Sequence, residues 1–400
     1  MQRIGIYGGT FNPPHMGHIR AAEYALNALN LDRLLVIPSC ISPHKPLPAG
    51  SPTPQQRLEM LQIAFAGESR IQVSDMELCR GGSSYTWETV QQVKEMFPEQ
   101  ELVLFMGTDM FLSFDTWRHP ERILNNAALA VFYRGDPEEM QKIEEKKVFF
   151  EAWGAKVYLA ENPVTEISST DIRRMLVFGC AEPFVHPGVM AYIRENHLYG
   201  VATDYRELPI EQLEQTVISL LKPNRVNHVL GCRQTAKALA EVHGADVIDA
   251  QRAALLHDIT KALDGPHQLT LCREYGIKLD SFSAQNPKTL HALTGSLVAQ
   301  RIFGENDAVV SAICSHTTGK ADMNTLEKII YVADYMEPNR DFPGVDRLRE
   351  LAYTNLDGAL EMGLKMTLTM LRQQGREVSP ESAEALRYLE NNRKEGIKIC

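Results

Sequence analysis

The sequence predicts an α/β fold with a parallel sheet for residues 1–200 and an all-helical fold for residues 210–400, joined by a linker at 201–209. Three observations carry this. Strand-like apolar runs alternate with helical patterns through the first half, as a parallel α/β sheet requires. After "ENHLYG" those runs stop, and apolar residues recur at i, i+3 and i+4, the helical period. The 400-residue length suits two or three domains on a rough prior of about 150 residues each.

"RIGIY" reads as the first buried strand and "IRAAEYALNAL" as the amphipathic helix after it. "RLLVIP" is the second strand, and "SPTPQQRLEMLQIAF" and "SYTWETVQQVKEMF" are helices leading to a third, "ELVLFMG". "LAVFYR" and "AKVYLA" complete a set of strands whose continuous apolar character fits burial on both faces. Ligands on such sheets gather beyond the carboxyl ends of the strands. The stretch "GGTFNPPHMGH" (8–18) follows the first strand and therefore sits at that edge. "VATDYRELP" is the linker, and "QRAALLHDITKAL", "LTGSLVAQRIF" and "TLEKIIYVADYM" are helices of the second half.

Composition narrows the function. A net charge of −10 argues against a general nucleic-acid binder, which carries a basic excess. No run approaches the roughly 20 apolar residues that span a bilayer, and the N-terminus lacks a signal-peptide pattern. Seven scattered cysteines without a CxxC pair argue against a disulfide framework or a cysteine-based zinc site. The expectation is a cytoplasmic protein with no nucleic-acid or membrane partner, its homo-oligomerisation left open.

Within residues 8–18, two glycines, two prolines and two histidines exceed what a structural turn needs. Gly8, Gly9 and Gly17 let the backbone approach a ligand closely. The helix that follows offers free N–H groups and a positive dipole end to an anion, and His15 and His18 can donate to phosphate oxygens. A packed, proline-rich turn with capping histidines is the competing reading of the same spacing.

"HMGH" is similar to the HxGH signature of the nucleotidylyltransferase superfamily, and "ISSTDIRRML" (167–176) resembles its second phosphate-binding element. "SPHKP" (42–46), "SSYTWETV" (83–90) and "MGTDMFLSFDTWRHPERIL" (106–124) resemble the bacterial nicotinate mononucleotide adenylyltransferases (the NadD family). The resemblance covers residues 1–200 and implies a Rossmann-like nucleotidylyltransferase fold, with ATP and nicotinate mononucleotide as substrates and Mg²⁺ on the phosphates. It implies His15, His18, Lys45 and Arg173 as the catalytic set. Gly8, Gly9, Thr10 and Phe11 would bind substrate, and Ser169 and Thr170 the other side of the triphosphate. Thr86 and Trp117 would hold the nicotinate ring, and Asp109 the ATP ribose or the adjoining loop. A flat pyridine ring suits an aromatic face. Phosphopantetheine and cytidylyl transfer are the rival chemistries within the superfamily.

In the second half, "ALLHDITK" places His257 and Asp258 side by side in an apolar helix, where a bridging carboxylate can serve two metals. His228, His291, His316 and Asp334 lie in separate helical segments. Imidazole and carboxylate ligands suit iron, zinc or manganese. The order His, His-Asp, His, His, Asp resembles the HD superfamily of metal-dependent phosphohydrolases. "HDITK", "SHTTG" and "YVADYMEPNRDFPGVDRLRELA" are similar to its YqeK branch, symmetrical diadenosine tetraphosphatases, over residues 210–390. That resemblance implies an HD domain that holds two transition-metal ions, iron foremost, on His228, His257, Asp258, His291, His316 and Asp334. Asp258 is also catalytic under this reading, Lys261 and Arg340 contact phosphates, and diadenosine tetraphosphate is the substrate. His243 and His267 match no ligand position and read as surface residues. Three competing readings make this half a hydrolase of another nucleotide (cyclic nucleotides, guanosine tetraphosphate or mononucleotides), a regulatory nucleotide-binding module or an RNA-associated scaffold.

Overall fold

The computed structural model describes residues 2–43, 46–133, 137–161 and 167–397. The chain forms two compact units, Met1–Ala202 and Thr203–Cys400. Lys45, expected to neutralise phosphates, lies outside the described residues.

The first unit is built on a six-stranded sheet in the order β3-β2-β1-β4-β5-β6, with every pairing parallel. The strands are β1 (Arg3–Gly9), β2 (Arg33–Pro38), β3 (Ile71–Val73), β4 (Glu101–Gly107), β5 (Ala127–Tyr133) and β6 (Val157–Glu161). Five coincide with the apolar runs of the sequence. The sixth, β3, is a three-residue edge strand with Gln72 exposed, too short to show a period. Side chains from β1, β2, β4 and β5 pack with Phe111, Phe114 and Phe150, whose rings meet edge-on at 5.3 Å about Phe150.

Strand order reverses direction between β1 and β4, and ligands on doubly wound sheets bind in the crevice at such a switch point. The fold therefore places the segment after Gly9 beside the segment after Gly107. Around this edge the helices have definite start signals. Thr53 caps Pro54–Phe65: its side chain accepts from Gln56 N–H at 3.2 Å, and Gln56 Oε1 accepts from Thr53 N–H at 3.0 Å. Ser168 caps Ser169–Val177 by accepting from Asp171 N–H at 3.0 Å, while Ile172, Met175 and Leu176 bury the opposite face.

The second unit is helical, with no strand among the described residues. No described helix of the chain is long and apolar enough to cross a membrane. Pro223–His243 carries His228, Leu290–Arg301 carries His291, and Thr325–Met336 carries Asp334. The expected placement of His257 and Asp258 within one helix is corrected. The helix Val247–Leu256 ends at His257, its C-cap, and Asp258 falls in the turn that follows. His316 likewise caps the helix Asp307–Ser315.

Candidate functional site

In the first unit the opening loop leads into the helix Met16–Ala28, with His15 as its N-cap residue. The His15 and His18 rings stack at 3.6 Å between centroids. His15 N–H donates to His18 Nδ1 at 3.2 Å, which leaves the proton of a neutral His18 on Nε2, as a donor. Burial holds His18 down at about 3 and His15 well below the usual imidazole range. His15 Nδ1 is buried without a hydrogen-bond partner, so an acceptor or donor from a ligand has a place there. A Cβ on Gly17 would stand 3.0 Å from the His15 ring, which is why this position takes glycine.

The structure brings the second element onto this loop across more than 150 residues of chain. Ser169 Oγ donates to Pro13 O at 2.9 Å, and Arg173 Nη1 donates to Asn12 O at 2.6 Å. Arg173 Nη2 also donates to Thr170 Oγ1 at 3.0 Å. Gly8, Gly9, Thr10 and Phe11 lead into the same loop, with Phe11 buried and its ring 5.0 Å from His18. Asp109 is exposed in the helix Thr108–Leu112, directly after β4. Thr86 opens the helix Thr86–Met96. Trp117 is half-buried against the core and lies 5.2 Å from Phe114, so one part of its ring is structural. Two cation–π pairs that sequence reasoning missed, Arg118 over Tyr85 at 4.6 Å and Arg122 over Trp87 at 4.8 Å, line the same region.

In the second unit all six expected ligand residues converge. Asp258 is 1% exposed and sits between two histidine pairs. Its Oδ2 faces His257 Nε2 at 3.5 Å and His228 Nε2 at 3.7 Å. Its Oδ1 faces His291 Nε2 at 3.5 Å and His316 Nε2 at 3.8 Å. Asp334 Oδ1 joins the first pair, 3.1 Å from His228 Nε2 and 3.9 Å from His257 Nε2.

The other ring nitrogen of each histidine is already engaged. Nδ1 of His257, His291 and His316 meets the carbonyls of Ala254, Lys288 and Ile313 at 2.7, 2.8 and 2.6 Å. His228 Nδ1 meets Glu337 at 3.1 Å. The three carbonyl contacts put the proton on Nδ1 of His257, His291 and His316 and aim their Nε2 lone pairs inward, the usual outer support of a metal-ligating imidazole, while His228 has a carboxylate 3.1 Å from each nitrogen. Burial lowers His257 and His291 well below their ordinary range and His316 to about 4, so these rings are neutral and ready to ligate. The buried Asp258 Oδ1 has no hydrogen-bond partner, and two groups of close ligand-type atoms are His228/Cys232/His257/Asp334 and His257/Asp258/His316. This donor set fits a divalent cation.

Sequence reasoning missed three participants. Arg225 pairs with Asp258 Oδ2, Cys232 Sγ lies 3.6 Å from His228 Nε2, and Glu337 orients His228. Glu337 packs closely there: a Cβ on Gly231, one helical turn beyond His228, would lie 2.5 Å from Glu337 Oε2. Lys261 Nζ is 2.8 Å from His291 Nε2 and 3.6 Å from Asp258 Oδ1, with burial lowering it to about 8. Arg340 Nη2 meets Asp334 Oδ1 at 2.9 Å. His267, expected at the surface, is 3% exposed and lies 2.8 Å from Asp264, while His243 is half-buried against Ala352 O at 2.6 Å. Both are helix-end contacts away from the six.

A cavity of about 840 Å³ opens beside the cluster. His316, Asp334, Lys261 and Arg340 line its charged end, and Tyr335 and Phe342, edge-on at 5.2 Å, belong to its apolar wall. That volume and mixture suit a nucleotide-sized ligand.

The Cytidylyltransferase-like family model matches residues 6–175 and the HD domain model residues 225–339. A "Probable nicotinate-nucleotide adenylyltransferase" of Borreliella burgdorferi is 34% identical over 198 residues, covering 49% of this chain and 96% of that protein. A protein of the same description from Pelobacter propionicus is 36% identical over 213 residues, covering 50% and 98%. Among solved structures, an HD superfamily hydrolase described as involved in NAD metabolism, from Clostridium acetobutylicum, is 35% identical. It covers 46% of this chain and 98% of that one, with a TM-score of 0.45.

Two outcomes follow from these geometries. With His18 held at about 3 against an ordinary 6.5, the unfolded chain takes up a proton below 6.5 that the folded chain refuses until about 3. The stability gained from a neutral His18 is thus present above pH 6.5 and drains away between 6.5 and 3. In the ligand-free protein the His18 imidazole resonance is expected to stay at its neutral position from pH 8 to 5. A titration midpoint near 6.5 would show the ring to be solvated. For the second unit, Asp258→Ala should abolish bound transition metal as read by elemental analysis, and remove the rise in Tm that added metal gives the wild type. Retained metal in a folded Asp258→Ala protein would place the ions elsewhere.

Proposed function

Because this chain belongs, through its first 200 residues, to the nicotinate-nucleotide adenylyltransferase family and carries an HD domain in its helical half, we propose that it is a bifunctional nucleotide enzyme. The first unit transfers the adenylyl group of ATP to nicotinate mononucleotide. The nucleotide's 5′-phosphate oxygen bonds to the α-phosphorus, the α–β bridging bond breaks, and pyrophosphate leaves with deamido-NAD as product. The observation that supports this most is the joining of the His15/His18 loop to Ser169, Thr170 and Arg173 at the sheet's switch point.

Positioning and charge stabilisation suffice for such an in-line displacement. Neutral His18 donates through Nε2 to the developing charge on the phosphates. His15 presents its unpartnered nitrogen, the first turn of Met16–Ala28 offers N–H groups, and Arg173 reaches in from the opposite side. Lys45 adds a further cation in this reading. Mg²⁺ bound with ATP would neutralise part of the triphosphate. Thr86 and the Tyr85/Arg118 pair bracket the nicotinate ring, with Trp117 at its edge and Asp109 toward the ribose.

The helical unit hydrolyses a phosphoanhydride, and the substrate read here is diadenosine tetraphosphate, cleaved with one water into two ADP. Its support is Asp258, whose two oxygens face separate histidine pairs as a bridge between two cations would. Metal ions bound there, iron in this reading, would activate water and clamp the phosphoryl group. Lys261 and Arg340 hold the phosphates that flank the scissile bond, and the apolar wall at Tyr335 and Phe342 takes one adenine. The rest of the substrate extends toward solvent.

Two assays test these activities. His18→Ala should lower adenylyl transfer about 10²- to 10³-fold, as loss of one preorganised donor does, and the wild type should prefer nicotinate mononucleotide to its amide. Turnover near wild type in His18→Ala would remove this residue from the reaction. For the helical unit, chromatography of early products should show ADP alone. An equimolar pair of AMP and ATP would overturn symmetrical cleavage, and turnover only with another nucleotide would reassign the substrate.

A further inference from the structure

Among the described residues Arg57 is the largest fully buried side chain, with 0% exposure, and no carboxylate pairs with it. Burying an arginine without a counter-charge is costly unless its donors are satisfied. Its Nη1 donates to Thr10 O at 2.8 Å. Its Nη2 donates to Ser39 O at 2.7 Å and Cys40 O at 3.2 Å. Nε has no partner. Every acceptor belongs to a loop at the carboxyl edge of the sheet: Thr10 follows β1, and Ser39 and Cys40 follow β2.

The linkage runs on. Cys40 N–H donates to Ser84 Oγ at 2.8 Å, and Ser84 N–H donates back to Ile41 O at 2.9 Å. Ser84 is buried and stands two residues before Thr86. A hydrogen-bonded chain therefore joins the His15/His18 loop, which takes the ATP phosphates, to the segment that takes the nicotinate ring. Among the described residues Arg57 carries this chain from the β1 loop to the β2 loop, beside a separate Asn12–Ser51 side-chain bond at 3.0 Å, and it stands in the capped first turn of Pro54–Phe65.

We infer that Arg57 is a positioning residue for adenylyl transfer: with Ser84 it sets the distance between the donor and acceptor subsites without touching either substrate. The inference rests on the transferase reading above. An apolar side chain of similar volume would fill the space at lower desolvation cost. The fork is needed because three carbonyls on two loops must be held at once, a task suited to the planar guanidinium and not to a point charge. In an in-line displacement, an error of about 1 Å between reacting groups costs roughly 10²-fold in rate. Each substrate bound alone does not sense that error.

The test separates rate from binding in the full-length protein. Arg57→Gln is expected to lower kcat about 10²-fold and Ser84→Ala about 10-fold, while Kd values for ATP and nicotinate mononucleotide, each titrated alone, change less than about 3-fold. The double variant should be no slower than Arg57→Gln, because one break already uncouples the loops. Arg57→Lys should recover part of the rate. Unchanged kcat in folded variants, or multiplicative losses in the double variant, would overturn the linkage. So would a fall in both affinities matching the fall in rate, which marks a merely structural arginine. If Arg57→Gln does not fold, Arg57→Lys and Ser84→Ala carry the same comparison of kcat with Kd. A wild type that forms no deamido-NAD would instead overturn the transferase reading itself.

Discussion

A buried imidazole has two nitrogens to satisfy, and the helical unit is organised around how that demand is met. Three backbone carbonyls and the Glu337 carboxylate take one nitrogen from each of four histidines. The second nitrogen of each faces inward, within 3.8 Å of Asp258, where Lys261 also reaches His291 and Asp334 reaches His228. Unpaired carbonyls are available because helices end here: the last turn of any helix leaves acceptors unused. His257 and His316, as C-caps, draw on that supply within their own segments. Positive charge from Arg225, Lys261 and Arg340 then balances Asp258 and Asp334.

The α/β unit reaches a similar end by another route. There the backbone N–H of His15 occupies His18 Nδ1, and stacking of the two rings in a desolvated pocket keeps both neutral. The same helix end that needs a cap also offers its amides to a phosphate. A neutral donor asks for no proton rearrangement when charge builds up opposite it. Both units thus favour a fixed tautomer over a mobile charge, one leaving a ring N–H as a donor and the other leaving ring lone pairs as acceptors.

Much of this was legible in the sequence, and what was not has physical reasons. The strands with continuous apolar runs, and the change of period after "ENHLYG", give the two architectures directly. Edge strand β3 was invisible because three residues cannot display a period. The six clustered residues of the helical unit could be picked out by type and order, but not the C-cap status of His257, since "ALLHDITK" is apolar on both sides of the helix end. Arg57 was hidden in "PQQRLEML", where an arginine at helical spacing reads as a solvated face. Burial of a cation is decided by which loops lie over it, and a one-dimensional pattern does not contain that. His267 failed for the same reason: it is buried although its partner Asp264 is exposed, and it is remote from any motif.

The position of His257 and His316 as buried C-caps, one residue past their helices, also bears on how the protein ages. Terminal turns fray first in any helix, and here those turns hold up the walls of the polar centre. A cation gripping both caps would fasten two loose ends in one stroke. Stripped of it, these ends lose one of the interactions that hold them, although both stay buried and out of a protease's direct reach. For this half of the chain, shelf life and metal content should therefore be two readings of a single gauge.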